Sequence, residues 1–293
     1  CIRDRLKEAA PSEMSLTNSW WRNNTLEASV EYSRAFDRHF LEVQGVYSYY
    51  NTTNEEFSTS RNGFISNDFD QLFAGDASTQ QNTGTAQEGA RIGYVGRLRY
   101  NYADKYLLEG NFRYDGSSRI NPDDRWGIFP SFSAGWRMTE EQFMQDLHWS
   151  WLNSMKIRAS WGQLGNQNIG IYPYQAVMEN EGNYTFDNSS LSTGYAQTKY
   201  ANRNITWETT TVTDIGLEAT VFNGLNVTLD WYKKKTKNIL RDAQVTGALG
   251  LDAPVINNGE MENKGFEINT QYVNNMKGCL LYTSPSPRDA HES

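Results

Sequence analysis

Residues 100–116 read YNYADKYLLEGNFRYDG, and within them Tyr106, Leu108, Gly110, Phe112 and Tyr114 share one parity while Glu109, Asn111, Arg113 and Asp115 share the other. A period of two is the signature of a strand whose two faces meet different surroundings. Just upstream, Ile92, Tyr94, Gly96, Leu98, Tyr100 and Tyr102 alternate with Arg91, Gly93, Arg97, Arg99 and Asn101. Only Ala103, Asp104 and Lys105 separate the two runs, so they form a long hairpin with a tight turn.

The same grammar recurs along the chain. Leu26, Ala28, Val30 and Tyr32 alternate with Thr25, Glu27, Ser29 and Glu31; beyond a turn at Asp37 and Arg38, Leu41, Val43, Gly45, Tyr47 and Tyr49 alternate with Glu42, Gln44 and Ser48. Phe132, Ala134 and Trp136 oppose Ser131, Ser133 and Arg137, and Met155, Ile157, Ala159 and Trp161 oppose Lys156, Arg158 and Ser160. Between them, TEEQFMQDLHWSWLN predicts a short helical turn near 139–150. Ile215, Leu217, Ala219 and Val221 lead through Asn223-Gly224, a two-residue hairpin signal, into Leu225, Val227, Leu229 and Trp231. Phe266, Ile268 and Tyr272 set against Glu267, Asn269 and Gln271 mark a last strand. About nine long strands result, joined by short turns near 37, 104 and 224 and by long polar segments near 51–89, 163–206 and 235–262, as the two rims of an outer-membrane barrel are.

Composition decides what those apolar rows can face. Only 38% of the residues are hydrophobic, mean hydropathy is −0.71, and no apolar run approaches the roughly 18 residues of a spanning helix. A barrel strand needs only about 9 to 11 residues with alternate positions facing lipid. Tyr100, Tyr102 and Tyr106 flank a short turn, and Tyr47, Tyr49 and Tyr114 sit near long segments, as interfacial girdles do. The expected fold is therefore all-β: a partial antiparallel transmembrane β-barrel, an open curved sheet with long surface loops. The alternative is a soluble β-rich glycan-binding module whose apolar rows face a second sheet. A net charge of −8 argues against nucleic acid as a partner.

Both ends call for separate treatment. Residues 279–293, CLLYTSPSPRDAHES, resemble the translation of a transposase-type sequencing adapter, TGT CTC TTA TAC ACA TCT and onward; residues 1–5, CIRDR, resemble its opposite strand, TGT ATA AGA GAC AG. Both are expected to be adapter-derived, which leaves 6–278 as the natural segment. Cys1 and Cys279 are the only cysteines and lie in those ends, so no disulfide or redox compartment is inferred.

No catalytic constellation stands out, and no enzyme activity, metal or cofactor is expected. His39 adjoins a turn, His148 lies in the helical stretch and His291 is in the tail, without convergent partners. The pair Asp123 and Asp124 reads as solvated, and Lys233 to Lys237, KKKTK, as a solvated strand end. Gly165 and Gly216 are expected at bends or close approaches. The candidate substrate contacts are aromatic rings of the long segments, since flat sugar faces stack on such rings: Trp126, Tyr172, Tyr174, Tyr184, Phe186, Tyr195 and Tyr200.

Five stretches carry a family likeness: GYVGRLRYNYADKYLLEGNFRYDGSSR (93–119), WGIFPSFSAGWRMTEEQFM (126–144), MKIRASWGQLGNQ (155–167), and the pair ITWETTTVTDIGLEATVFNGLNVTLDWYKKKTKNIL (205–240) and NGEMENKGFEINTQY (258–272). In this order they resemble the SusC/RagA group of TonB-dependent outer-membrane transporters. The resemblance implies a barrel of about 22 strands with a plugged lumen, of which 6–278 would be a fragment, with the plug domain and final strands absent. It also implies active import of oligosaccharide or peptide cargo, a SusD-like surface lipoprotein, the TonB–ExbB–ExbD complex acting through the missing plug, and outer-membrane lipid around the wall.

Overall fold

The structure is a computed structural model that describes residues 12–66, 68, 70–180, 183–185, 192–273, 275–276 and 279–280. Residues 1–5 and 281–293 of the expected adapter-derived ends, and His291 with them, lie outside the described residues.

In chain order the strands are β1 (Glu13–Phe36), β2 (His39–Asn62), β3 (Gln81–Tyr102), β4 (Tyr106–Ser117), β5 (Trp126–Arg137), β6 (Leu152–Asn166), β7 (Met178–Glu179), β8 (Ala196–Gln197), β9 (Glu208–Val221), β10 (Leu225–Lys237), β11 (Leu240–Asp242), β12 (Val255–Asn257), β13 (Glu260–Tyr272), β14 (Asn275–Met276) and β15 (Cys279–Leu280). The one α-helix among the described residues, α1 (Gln142–Asp146), falls where TEEQFMQDLHWSWLN predicts it. Nine long strands form a single sheet in the order β1-β2-β3-β4-β5-β6-β9-β10-β13, so that β1 and β13 are its edges. Every recorded pairing among the long strands is antiparallel.

The chain divides into two compact units, Cys1–Leu26 with Tyr50–Ala90, and Glu27–Tyr49 with Arg91–Ser293. The first holds the one substantial departure from the expected element bounds. Residues 51–62 and 81–89 are strand rather than loop, and β1 begins at Glu13 rather than near Leu26. Asn51, Thr52, Thr53, Asn54, Glu55 and Glu56 are polar at both parities, so alternation cannot reveal them; backbone pairing forms a sheet there while both faces stay wet. Side chains support the pairing through Thr17–Ser58, Ser19–Glu56 and Asn51–Glu88 contacts of 3.0 Å each. At the tip, the Asp76 carboxylate accepts from the Ser78 backbone N–H at 2.8 Å, capping a 3-10 turn over Ala77–Thr79. That bond holds the Asp76 carboxyl below its ordinary pKa.

The second unit carries the alternating rows, and its register places them in continuous lines across the strands. Tyr100, Leu108, Ala134, Ala159, Ile215, Trp231 and Phe266 are successive partners on one face. Arg99, Glu109, Ser133, Ser160, Asp214, Tyr232 and Gly265 follow one another on the other. The apolar face is open: Leu108 is 52% exposed, Phe132 60% and Phe266 81%. Among the described residues no second layer of protein covers it, so the two-sheet alternative is not what this sequence builds. The polar face is instead knitted together by ion pairs. Arg97 and Arg99 meet Glu109 at 3.2 and 3.5 Å, Arg99 reaches Glu42 at 3.3 Å, and Lys156 meets Glu218 at 3.5 Å. A sheet with dry-loving residues outward and paired charges on its other face is the arrangement a lipid-facing wall requires.

Arg158 is the centre of that network. It binds Asp214 at 2.6 Å, Glu218 at 2.9 Å and Asp230 at 2.5 Å, although Asp230 lies two strands away. It reaches there by crossing β9 at Gly216, where an added Cβ would sit 2.8 Å from the guanidinium carbon and closer still to the Asp230 carboxylate.

Short turns fall where expected, at 37–38, 103–105 and 222–224. The last differs in detail. Val221 pairs with Leu225, so Phe222, Asn223 and Gly224 form a three-residue connection, with Phe222 and Asn223 at positive φ. Gly224 serves instead as contact space, since a Cβ there would lie 2.5 Å from the Val273 carbonyl. Lys233 and Lys235 of KKKTK form ion pairs with Glu262 and Glu260 at 3.2 and 2.6 Å.

Candidate functional site

Buried apolar residues are few, and their location picks out the site. Ile120, Phe129, Ile169, Tyr174 and Ile205 are the buried hydrophobic side chains of the described residues, with Ile120 and Ile205 fully enclosed. All but Phe129 belong to the long connections at one rim of the second unit, residues 118–125 and 167–207. These segments therefore have a small protein core, which the open sheet does not.

Hydrogen bonds bind these connections to each other and to a third, residues 238–259. The Arg119 guanidinium donates to the Ile169 carbonyl at 2.9 Å, Asn121 Nδ2 to the Arg203 carbonyl at 3.0 Å, and Trp207 Nε1 to the Arg125 carbonyl at 3.1 Å. Asn202 Nδ2 donates to the Val255 carbonyl at 2.8 Å. Asn257 makes a reciprocal pair with the backbone of Thr206, accepting from its N–H at 2.8 Å and donating to its carbonyl at 2.9 Å. A carboxamide paired in this way mimics one rung of a strand ladder and fixes two loops without regular structure. Phe129 packs edge-on against Trp207 at 5.3 Å between centroids. Its ring also fills the space beside Gly165, with ring carbons 2.5 and 2.7 Å from where a Cβ would be. Gly165 thus marks a close approach, by a side chain.

The candidate contact residues separate into groups. Trp126 stacks on Tyr114 at 4.6 Å and lies 6.3 Å from Tyr94; it continues the aromatic row of the apolar face. Tyr174 is buried and donates through its hydroxyl to the Ser118 carbonyl at 3.4 Å, so it braces the loops. Tyr172 meets Tyr174 edge-on at 6.0 Å and has a φ of 51°, a left-handed conformation that costs a bulky residue about 1–2 kcal/mol. Tyr184, Tyr195 and Tyr200 are exposed. Phe186 lies outside the described residues. Alternation gave no sign of Ile120, Ile169, Ile205, Asn202 or Asn257; isolated isoleucines and asparagines in polar loops have no periodic signature.

His39 accepts or donates at 2.6 Å with the Tyr100 hydroxyl and stacks on Phe36, and His148 Nδ1 is 2.7 Å from the Asp146 carbonyl. Among the described residues no three His, Cys, Asp or Glu side chains are grouped to hold a metal ion, and no helix is long and apolar enough to cross a membrane. The latter says nothing of strands.

At the opposite rim, Glu141 collects three donors. Its Oε1 accepts from the Tyr106 hydroxyl at 2.6 Å and from Trp136 Nε1 at 3.1 Å, and its Oε2 lies 3.3 Å from Lys105 Nζ. The hydrogen bond from Tyr106, then that from Trp136, hold the Glu141 carboxyl below the ordinary carboxylate pKa.

Comparison with known proteins agrees with this geometry. The family model described as TonB dependent receptor-like, beta-barrel matches residues 8–284. TonB-dependent receptor P26 of Formosa agariphila is 34% identical over 278 residues, which is 92% of this chain and 27% of that protein. TonB-dependent receptor SusC of Bacteroides thetaiotaomicron is 35% identical over 198 residues, 66% of this chain and 19% of its own length. The RagAB peptide importer in its closed-closed state has a similar fold, with a TM-score of 0.81 at 23% identity over 90% of this chain and 29% of that one. The chain thus spans about a quarter of the length of such relatives.

Proposed function

Because this chain belongs to the TonB-dependent receptor-like β-barrel family of the outer membrane, we propose that it is a section of barrel wall and surface loops from an active importer of the SusC/RagA type. In this reading the open apolar face touches hydrocarbon, and the ion-paired face lines the lumen. The interlocked loops stand at the cell-surface mouth. The wall makes and breaks no bond; its task is to hold a shaped, polar passage while energy supplied through TonB, ExbB and ExbD acts on a plug outside this segment. A SusD-like lipoprotein is the expected surface partner.

The cargo we propose is an oligosaccharide, captured in part by exposed loop tyrosines. The observation that carries this is the contrast between Tyr174, which is committed to the loop core, and Tyr195 and Tyr200, which present their rings to solvent from the same connection. Rings held at a braced mouth keep one face free for a sugar and one edge wet for its hydroxyls. Peptide cargo is the second reading, favoured by the fold shared with a peptide importer.

The test uses the complete receptor with Tyr172, Tyr184, Tyr195 and Tyr200 replaced together by Ala, and Tyr174 left in place to keep the loops folded. Calorimetry with an oligosaccharide panel is expected to read at least about tenfold weaker binding, roughly 1.4 kcal/mol. Unchanged oligosaccharide affinity defeats the glycan assignment, and a loss seen only with peptides transfers it to the second reading.

A further inference from the structure

The connection between β5 and β6 is the one short-rim link that is not a tight turn, and it is built unlike the others. It leaves β5 through a 3-10 turn over Met138–Glu140 and enters α1 at Glu141. Glu141 is bonded to Tyr106 and Trp136, which pair with each other on the apolar face. The helix therefore starts on the same side of the sheet as the exposed apolar rows. The helix displays Phe143, and beyond it the connection displays Leu147, Trp149 and Trp151, all exposed. Trp149 and Trp151 stack at 5.4 Å, and Trp151 lies 6.2 Å from Phe222 of the neighbouring turn, itself 67% exposed.

The backbone that carries these rings is cross-linked between the two connections. The Phe222 N–H donates to the Trp151 carbonyl at 2.8 Å, the Asn223 N–H donates to Asn153 Oδ1 at 2.9 Å, and the two carboxamides bond each other. Phe222 holds a φ of 52°, an unfavoured conformation for a bulky side chain that is stabilised by these bonds. A rigid aromatic patch in water would be an aggregation surface. Indole, with an apolar body and one N–H, instead suits the boundary between headgroups and hydrocarbon. The patch is also continuous with the lipid-facing rows through Val221, Leu225 and Tyr272, which are successive register partners at this end of the sheet.

We infer that the β5–β6 connection is an interfacial anchor, with Trp149, Trp151 and Phe222 seated among the lipid headgroups of the leaflet that meets the short-turn rim, and Glu141 as the positioning residue that holds the connection to the wall. This rests on the outer-membrane reading above, and the test separates the two. The complete receptor, in a cysteine-free background carrying W149C, F222C or L108C, is spin-labelled and reconstituted into vesicles of phosphatidylethanolamine and phosphatidylglycerol. Collision with oxygen and with a water-soluble nickel chelate is then read by paramagnetic resonance.

Site 108 is expected to lose nickel collisions and retain oxygen collisions. Sites 149 and 222 are expected to show a partial loss of nickel collisions, the signature of shallow depth. Full nickel access at 149 and 222 overturns the anchor, as does protection from both reagents, which would mean that protein covers the patch. Full nickel access at 108 overturns the outer-membrane reading itself. With E141Q added, the label at 149 is expected to become more mobile while 108 is unchanged; identical spectra at 149 remove Glu141 from the proposal.

Discussion

Gly216 has no side chain because the space beside it is occupied. The Arg158 guanidinium passes over it to reach Asp230, with bonds to Asp214 and Glu218 on the way. Gly216→Ala is expected to displace that guanidinium and to lower stability by about 1–3 kcal/mol, the usual cost of overpacking, read as a lower urea midpoint for the receptor in liposomes. Glu141 makes the corresponding case at the rim. Its folded pKa lies below its ordinary value, so its contribution is fully present above that value and is lost as pH falls through the folded one. Hydrogen exchange of the 138–146 amides is expected to quicken on acidification through that window, and Glu141→Gln to abolish the pH dependence. At this scale the sequence was half legible. Alternation put Arg158 on the polar row of its strand, and Gly216 was expected at a bend or close approach; the partners Asp214 and Asp230 follow only from the register of β6, β9 and β10. Glu141 was opaque, because two of its three donors, Tyr106 and Lys105, come from the preceding hairpin some 35 residues away in sequence.

The strands were read best where their two faces differ most. Along β4, β5, β6, β9 and β10, alternation located every strand because lipid and water sort side chains sharply. Along the outer stretches of β2 and β3 both parities are almost entirely polar, and hydrogen bonding between backbones, which leaves no periodic trace, decides the structure; in β1 the alternation of Met14, Leu16 and Trp20 with Ser15, Thr17 and Ser19 was present but unread. The Asn223-Gly224 signal found the right hairpin, but the connection is one residue longer than that signal implies, with Phe222 drawn into it at positive φ. The face assignment gives a direct expectation. Phe132→Arg should destabilise the receptor in liposomes by about 2–4 kcal/mol, the cost of a cation at mid-bilayer. Ser133→Arg, one residue along and beside Glu109 in the register, should change stability little. Equal losses for both would contradict the assignment of faces.

Among the described residues the nine-stranded sheet ends at β1 and β13, and the loops of the second unit have more protein core than the strands that carry them. We propose that the two edges pair with further strands of the same receptor, and that residues 1–5 and 279–293 are adapter-derived. Fold class and family were legible from repeated long segments in order. The loop architecture was not, since asparagine-to-backbone bonds and three scattered isoleucines obey no period. Asn257→Ala tests that architecture: it is expected to raise hydrogen exchange in both 200–207 and 238–259, whereas an effect confined to one segment would show that they are independent. The reciprocal bonds of Asn257 with Thr206, and those of Arg119 and Asn121 with the adjoining segment, have a mechanical corollary. Displacing any one of these three connections strains its bonds to the others, so the three are expected to move together rather than singly.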